Sequence, residues 1–264
     1  MPPSNYSSLL LAAKPWYNSA DLTMKGHGSM IDITQIPLFS EIPAGDLASR
    51  VAPMLKERHY KKNHVFMFEN DQSDEIFILR TGKVKIYRIQ DGKEVVLSIQ
   101  LPGEIFGEAE AISGDNHRIC TIEALESLIA WQISKQDFLQ IIEEYPSVLH
   151  KAYGIMFQRV RVLNRMIRYM TFCDVRAKVA NQIMDLYYNF GQEYGIAYKV
   201  DMKINHALLG NMVGITRESI SKTLSDFQSE GLIDIRQKYI YILNLKKLEQ
   251  MCEGTEEVPA LRKW

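Results

Sequence analysis

The sequence predicts an α+β chain in which a β-rich domain is joined by one long helix to a small helix-turn-helix domain. Three observations carry this. Short apolar runs broken by turn residues fill the region from about Leu55 to Ile133, a heptad pattern runs between Pro146 and Met170, and two short helices flank Gly214. The chain divides accordingly into a mobile arm (1–30), a β domain (31–145), a long helix with its hinge (146–173), a winged-helix domain (174–250) and a loose tail (251–264).

With 264 residues, 46% hydrophobic and 24% charged, the chain can hold one large or two modest cores. Its formal net charge of -1 offers no global basic field, so affinity for nucleic acid must come from a local patch. Cys120, Cys173 and Cys252 are distant and odd in number, which suits reduced thiols in a cytoplasm. They form no metal-spaced pair, so no metal site or iron–sulfur cluster is expected.

The arm mixes Pro, Ser, Asn and Gly without an apolar period. Its short run from Leu9 to Ala13 lacks a preceding basic region and is too short for a signal core or a membrane span, which points to a cytoplasmic chain.

In the β domain, Ile76 to Leu79 precede Thr81-Gly82, and Val84 and Ile86 alternate with polar neighbours. Asp91-Gly92 is a hairpin signal before Val95 to Ile99. Several such strands at about 8 to 12 residue spacing indicate a barrel or sandwich.

Leu149, Tyr153, Met156, Val160, Leu163, Ile167 and Met170 alternate spacings of four and three, the seam of a coiled coil and a dimerisation surface. The same spacing would serve a helix packed on its own β domain, and one helix can do both. Lys151, Arg159, Arg161, Arg165 and Arg168 make this helix basic, with no acid between Ser147 and Phe172. They could meet phosphate, an anionic effector, or acids of the β domain such as Glu104, Glu108 and Glu110.

After Asp174 a helix carries Val179, Ile183, Leu186 and Tyr187 on one face until Gly191 and Gly195. A further short helix ends near Val213, and Gly214 supplies a turn that favours a left-handed backbone. Thr216 is suited to cap the next helix. Ile215, Ile220, Leu224 and Phe227 face inward, leaving Arg217, Glu218, Ser221, Lys222 and Ser225 outward. Arginine matches the guanine O6 and N7 acceptors, glutamate accepts from the cytosine amino group, and lysine reaches guanine or phosphate. Gly231 to Ile235 and Tyr239 to Leu243 read as a two-stranded wing, with Arg236 or Lys238 at its tip placed for a backbone phosphate.

The segment Val213 to Lys222 resembles the recognition segment of the CRP/FNR family of bacterial transcription regulators, in which Val-Gly-x-Ser/Thr-Arg-Glu-Thr-x-x-Arg is typical. The resemblance, covering roughly residues 36 to 248, implies a cyclic-nucleotide-binding-like β-roll and a winged helix-turn-helix. It implies that Arg217, Glu218 and Lys222 touch base edges in a two-fold operator bound by a homodimer. RNA polymerase and a small-molecule effector are the further partners it implies. Lys222 stands where arginine is usual, which weakens bidentate readout.

Pro102 to Glu108, followed by Arg118, similarly resembles the phosphate cassette of cyclic-nucleotide-binding β-rolls. There the glutamate accepts from the ribose 2′-hydroxyl, the arginine neutralises the cyclic phosphate, and a hydroxyl residue follows the arginine. Gly107, Glu108 and Arg118 match, but Ile119 replaces the hydroxyl, and the hydroxyl pair of the cyclic AMP receptor falls on Leu163 and Asn164. These departures disfavour a cyclic nucleotide and point to a different small effector, with Glu108 and Arg118 then serving as an internal salt bridge. A redox sensor using Cys120 or Cys173, or a constitutive DNA binder, is the alternative. No catalytic constellation is present, since His59, His64, His117 and His206 are dispersed.

Overall fold

The computed structural model describes residues 30–115, 117–252, 254 and 261–262. The arm proposed for residues 1–30 lies outside them, apart from Met30.

After 3-10 turns and a one-turn helix α1 (Ala44–Asp46), eight strands build the roll. These are β1 (Lys56–Tyr60), β2 (Val65–Met67), β3 (Glu75–Leu79), β4 (Val84–Gln90), β5 (Lys93–Gln100), β6 (Ile105–Phe106), β7 (Thr121–Ala124) and β8 (Leu128–Ser134), with helix α2 (Glu108–Ser113) between β6 and β7. They form two antiparallel four-stranded sheets, ordered β1-β8-β3-β6 and β2-β7-β4-β5. Met67, Phe77, Leu79, Val84, Phe106 and Ile122 fill the space between them. The β4–β5 hairpin turns on Asp91 and Gly92, both at positive φ, as the Asp-Gly pair requires.

Helix α3 (Lys135–Glu144), capped by Ser134, leads into the long helix α4 (Pro146–Phe172). Pro146 at its first position suits a helix start, where the missing N–H would have no partner. Two extended residues follow, Cys173 and Asp174, and Asp174 caps α5 (Val175–Phe190) by accepting from Ala177 N–H at 2.8 Å. One face of α4 is buried on its own chain through Val148, Ala152, Val162, Arg165 and Tyr169. The other face stays open, with Tyr153 58%, Val160 49%, Leu163 39% and Ile167 60% exposed.

The C-terminal domain holds α6 (His206–Val213), α7 (Arg217–Ser229) and α8 (Leu245–Gln250) around a four-stranded sheet ordered β11-β12-β10-β9. The expected wing is β11 (Ile233–Arg236) and β12 (Tyr239–Ile242), but it is half of the sheet: β9 (Gly191–Tyr194) and β10 (Ala197–Val200) extend it through a turn at Gly195. Gly191 ends α5, Gly195 turns the chain after β9, and Ala197 and Val200 are the buried ends of the extra strand.

The two domains share a core. Tyr87, Val96 and Ile99 of the β4–β5 hairpin belong to the same apolar cluster as Leu209, Met212, Ile220 and Phe227. Glu94 accepts from Asn211 Nδ2 at 3.0 Å and from Lys85 Nζ at 2.8 Å, tying hairpin to α6. Of the described residues of the tail, Cys252 and Arg262 are both buried. Among the described residues no helix is long and apolar enough to cross a membrane.

Candidate effector pocket and nucleic-acid interface

The glycine cassette, Pro102 to Glu108, runs through β6 into the start of α2, and Gly107 joins the two. Gly107 has φ +85, and a Cβ there would sit 2.8 Å from Glu75 O and 3.0 Å from Arg118 Nη1, so only glycine lets the arginine pass. Arg118 is 2% exposed and its donors are taken up internally. Nε and Nη2 donate to Ser73 Oγ at 2.9 and 2.8 Å, Nη2 also to Glu75 O at 2.6 Å, and Nη1 to Gly107 O at 3.0 Å and Glu110 Oε2 at 3.3 Å. The Ile119 amide donates to the other Glu110 oxygen at 3.2 Å. The Arg118 and Ile119 donors are thereby turned into the fold.

Glu108 and Arg118 do not pair with each other. The acid on Arg118 is Glu110, and Glu108, 1% exposed, is bound by Arg159 of α4, which also donates to Ile105 O. Of the three partners left open for the basic helix, Arg159 thus meets the acids of the roll. The second Glu108 oxygen, Oε2, is buried without a hydrogen-bond partner. Glu104 lies nearby and accepts from Leu101 N–H at 2.6 Å. Burial raises its carboxyl to about 7, against the pull of that amide and of Arg159.

Leu163 and Asn164 lie on α4 one turn beyond Arg159. Both are exposed on α4, and neither shares a hydrogen bond or ion pair with Glu108 or Arg118 among the described residues. Cys120, buried beside the cassette, is held as a thiol, since burial pushes it up to about 12. Further along α4, Val96, Ser98, Met166, Tyr169, Gln182 and Met212 line a cleft of about 30 Å³, room for a few water molecules at most.

In the C-terminal domain, Gly214 ends α6 in the left-handed conformation (φ +69), and Thr216 caps α7 by accepting from Ser219 N–H at 3.2 Å. Ile220, Thr223, Leu224 and Phe227 are buried, which leaves Arg217, Glu218, Ser221, Lys222 and Ser225 on the exposed face. Neither Arg217 nor Lys222 enters an ion pair among the described residues. Glu218 folds back on the helix start, where its own amide and the Thr216 hydroxyl hold its carboxyl below the usual range. Lys238 sits at the exposed wing tip at φ +70, whereas Arg236 is engaged by Asp234 at 2.6 Å.

Gly210 escaped the sequence reading. It lies inside α6, and a Cβ there would stand 2.7 Å from Ile215 O, so it permits the close return of the chain between the two helices. Its only sequence signal is a glycine within an apolar helix, which by itself fits many explanations.

Residues 57–145 match the cyclic nucleotide-binding domain model, and residues 177–251 match the Crp-like helix-turn-helix domain model. The CRP-like cAMP-activated global transcriptional regulator of Mycobacterium tuberculosis is 27% identical over 204 residues, spanning 76% of this chain and 91% of that protein. The fumarate and nitrate reduction regulatory protein of Escherichia coli is 24% identical, spanning 77% and 81%. Among solved structures, a CooA mutant from Carboxydothermus hydrogenoformans aligns with a TM-score of 0.70 at 21% identity, covering 86% of this chain and 100% of that one. The global regulator CLP of Xanthomonas campestris, titled as c-di-GMP responsive, aligns at 0.68 and 20% identity, covering 76% and 99%. These relatives are regulators rather than enzymes, and with both domain models matched in order, the chain belongs to the CRP/FNR family of transcription regulators.

Proposed function

We propose that the chain acts as a homodimer on a two-fold DNA operator and that a small effector bound between roll and long helix changes its DNA affinity. The observation that carries the dimer is the division of α4 into two faces. Val148, Ala152 and Val162 are covered by the chain itself, while Tyr153, Val160, Leu163 and Ile167 stay open along the opposite stripe. Leu149, Met156 and Met170 complete that stripe at heptad spacing. A dimer presents two recognition helices to half-sites about one helical turn apart, and a single helix-turn-helix makes few base contacts.

Arg217, Glu218, Ser221 and Lys222 read bases, Thr216 fixes the start of their helix, and Lys238 contacts phosphate. Duplex DNA is one partner, and RNA polymerase, whose access the dimer controls, is the other. Selection of duplexes from a random pool by the purified protein tests this, with inverted half-sites as the expected product.

The effector is not assigned as a cyclic nucleotide. Arg118 would have to give up Ser73, Glu75, Gly107 and Glu110 to hold a phosphate. The orphan Glu108 Oε2 beside Arg159 instead suits a ligand that donates a hydrogen bond. Thermal unfolding with cyclic AMP, cyclic GMP and a panel of hydroxylated, aromatic and anionic metabolites tests this, since a ligand at 100 times its Kd adds about 2.7 kcal/mol. A shift with cyclic AMP alone overturns the assignment. Redox sensing through Cys120 is not favoured, because a buried thiol of raised pKa is a poor nucleophile.

A further inference from the structure

Leu261 and Arg262 lie beyond the segment matched to the helix-turn-helix model, yet they are anchored on both sides of the hinge. On the α5 side, Arg262 Nη1 donates to Asp185 Oδ1 at 2.7 Å and to Asn181 O at 3.4 Å, and Nη2 donates to Asn181 Oδ1 at 3.0 Å. The Arg262 carbonyl accepts from Asn189 Nδ2 at 3.0 Å. On the α4 side, Nη1 donates to Tyr169 Oη at 3.1 Å, and Arg165 donates to the carbonyls of Leu261 and Arg262. Arg262 is 3% exposed.

We propose that Arg262 is a positioning residue: the C-terminal segment latches the winged-helix domain to the long helix across Cys173–Asp174, and so sets the angle at which α7 is presented. The charge arrangement suits a latch that can open. Asp185 faces two guanidiniums, Arg165 Nε at 3.2 Å and Arg262 Nη1 at 2.7 Å, and when Arg262 leaves, Arg165 still neutralises it. No carboxylate is then stranded in the interior, which is the costly outcome when one partner of a buried pair is lost. Loss of Asp185 would instead strand two guanidiniums. The polar groups that Arg262 binds sit within about five turns of the hinge, on α4 from Arg165 and on α5 to Asn189.

The consequence for DNA rests on the two-fold operator reading, but the latch itself can be tested without DNA. Hydrogen exchange is compared in the full chain, in Arg262→Gln, in Arg262→Lys and in a chain ending at Ala260. The expected result is at least tenfold faster exchange in peptides spanning residues 166–178 in Arg262→Gln and in the shortened chain, with the roll and residues 206–250 unchanged. Arg262→Lys keeps the ion pair but not the fork, so its exchange falls between. Operator selection by Arg262→Gln should then return the same half-site sequence with a broader range of half-site spacings. Unchanged hinge exchange in both Arg262→Gln and the shortened chain overturns the latch. So does a uniform rise over residues 175–250, which would make Arg262 a stabiliser of one domain. If the unaltered chain selects no paired half-sites, the operator reading fails, and the exchange data alone decide the latch.

Discussion

Arg159 of the long helix binds Glu108 of the glycine cassette, so the segment expected to hold an effector is fastened to the helix expected to dimerise. Any ligand that takes over Glu108 or displaces Arg159 must change the seat of α4 on the roll. That is a differential contact of the sort that shifts a population between two states.

Removing one member of this pair should therefore destabilise the roll. Arg159→Gln leaves Glu108 buried and uncompensated, at a cost of about 2 kcal/mol after allowing for the partial exposure of the arginine. Adding Glu108→Gln should recover part of that loss. A double-mutant cycle by urea unfolding reads the coupling, and purely additive effects would tell against the pair.

Glu104 should make stability fall with rising pH. Its carboxyl is raised to about 7 from an ordinary value of 4.5, so the folded state binds the proton more tightly than the unfolded state. Stability contributed by the protonated form is complete below pH 4.5 and declines through pH 7. Glu104→Gln should flatten that decline, by roughly 1 to 3 kcal/mol between pH 5 and 8 given that the residue is partly exposed. Identical pH profiles for the two proteins would contradict the placement of this carboxyl.

The Asp91-Gly92 turn, the Thr216 cap, the Gly214 turn and the α4 period were legible in the sequence because each is a local rule linking residue type to backbone geometry. The partners of Arg118 and Glu108 were not. Both acids lie in one short helix, two residues apart, and only the fold decides that Glu110 meets Arg118 while Glu108 meets Arg159. The burial of Arg262 was invisible for a similar reason: a lone arginine in a polar tail carries no period, and its acceptors lie 77 to 93 residues away. Sheet membership of β9 and β10 also depends on pairing with β12, which a four-residue strand cannot advertise alone.

Two substitutions in α7 should separate folding from reading. Thr216→Ala removes the cap and should cost about 1 kcal/mol of domain stability. Arg217→Ala, an exposed residue without an ion pair, should leave the melting temperature unchanged and weaken specific DNA binding by about 1 to 3 kcal/mol. Equal loss of stability in both would remove Arg217 from the reading face.

Gly210→Ala should disrupt the helix-turn-helix itself. The new methyl meets the Ile215 carbonyl at 2.7 Å, a backbone atom that cannot swing aside, so the turn must open at a cost of about 1 to 3 kcal/mol. Calorimetry should show a lower transition for this variant, and an unchanged transition would contradict the close approach.

The central claim, a dimer that reads a two-fold operator, is tested most directly by selecting duplexes from a random pool with the purified chain. The expected product is a pair of inverted half-sites with centres about 10 base pairs apart, lost when Leu163 and Ile167 are both replaced by Glu. Enrichment of a single asymmetric site, retained by that double variant, would contradict it.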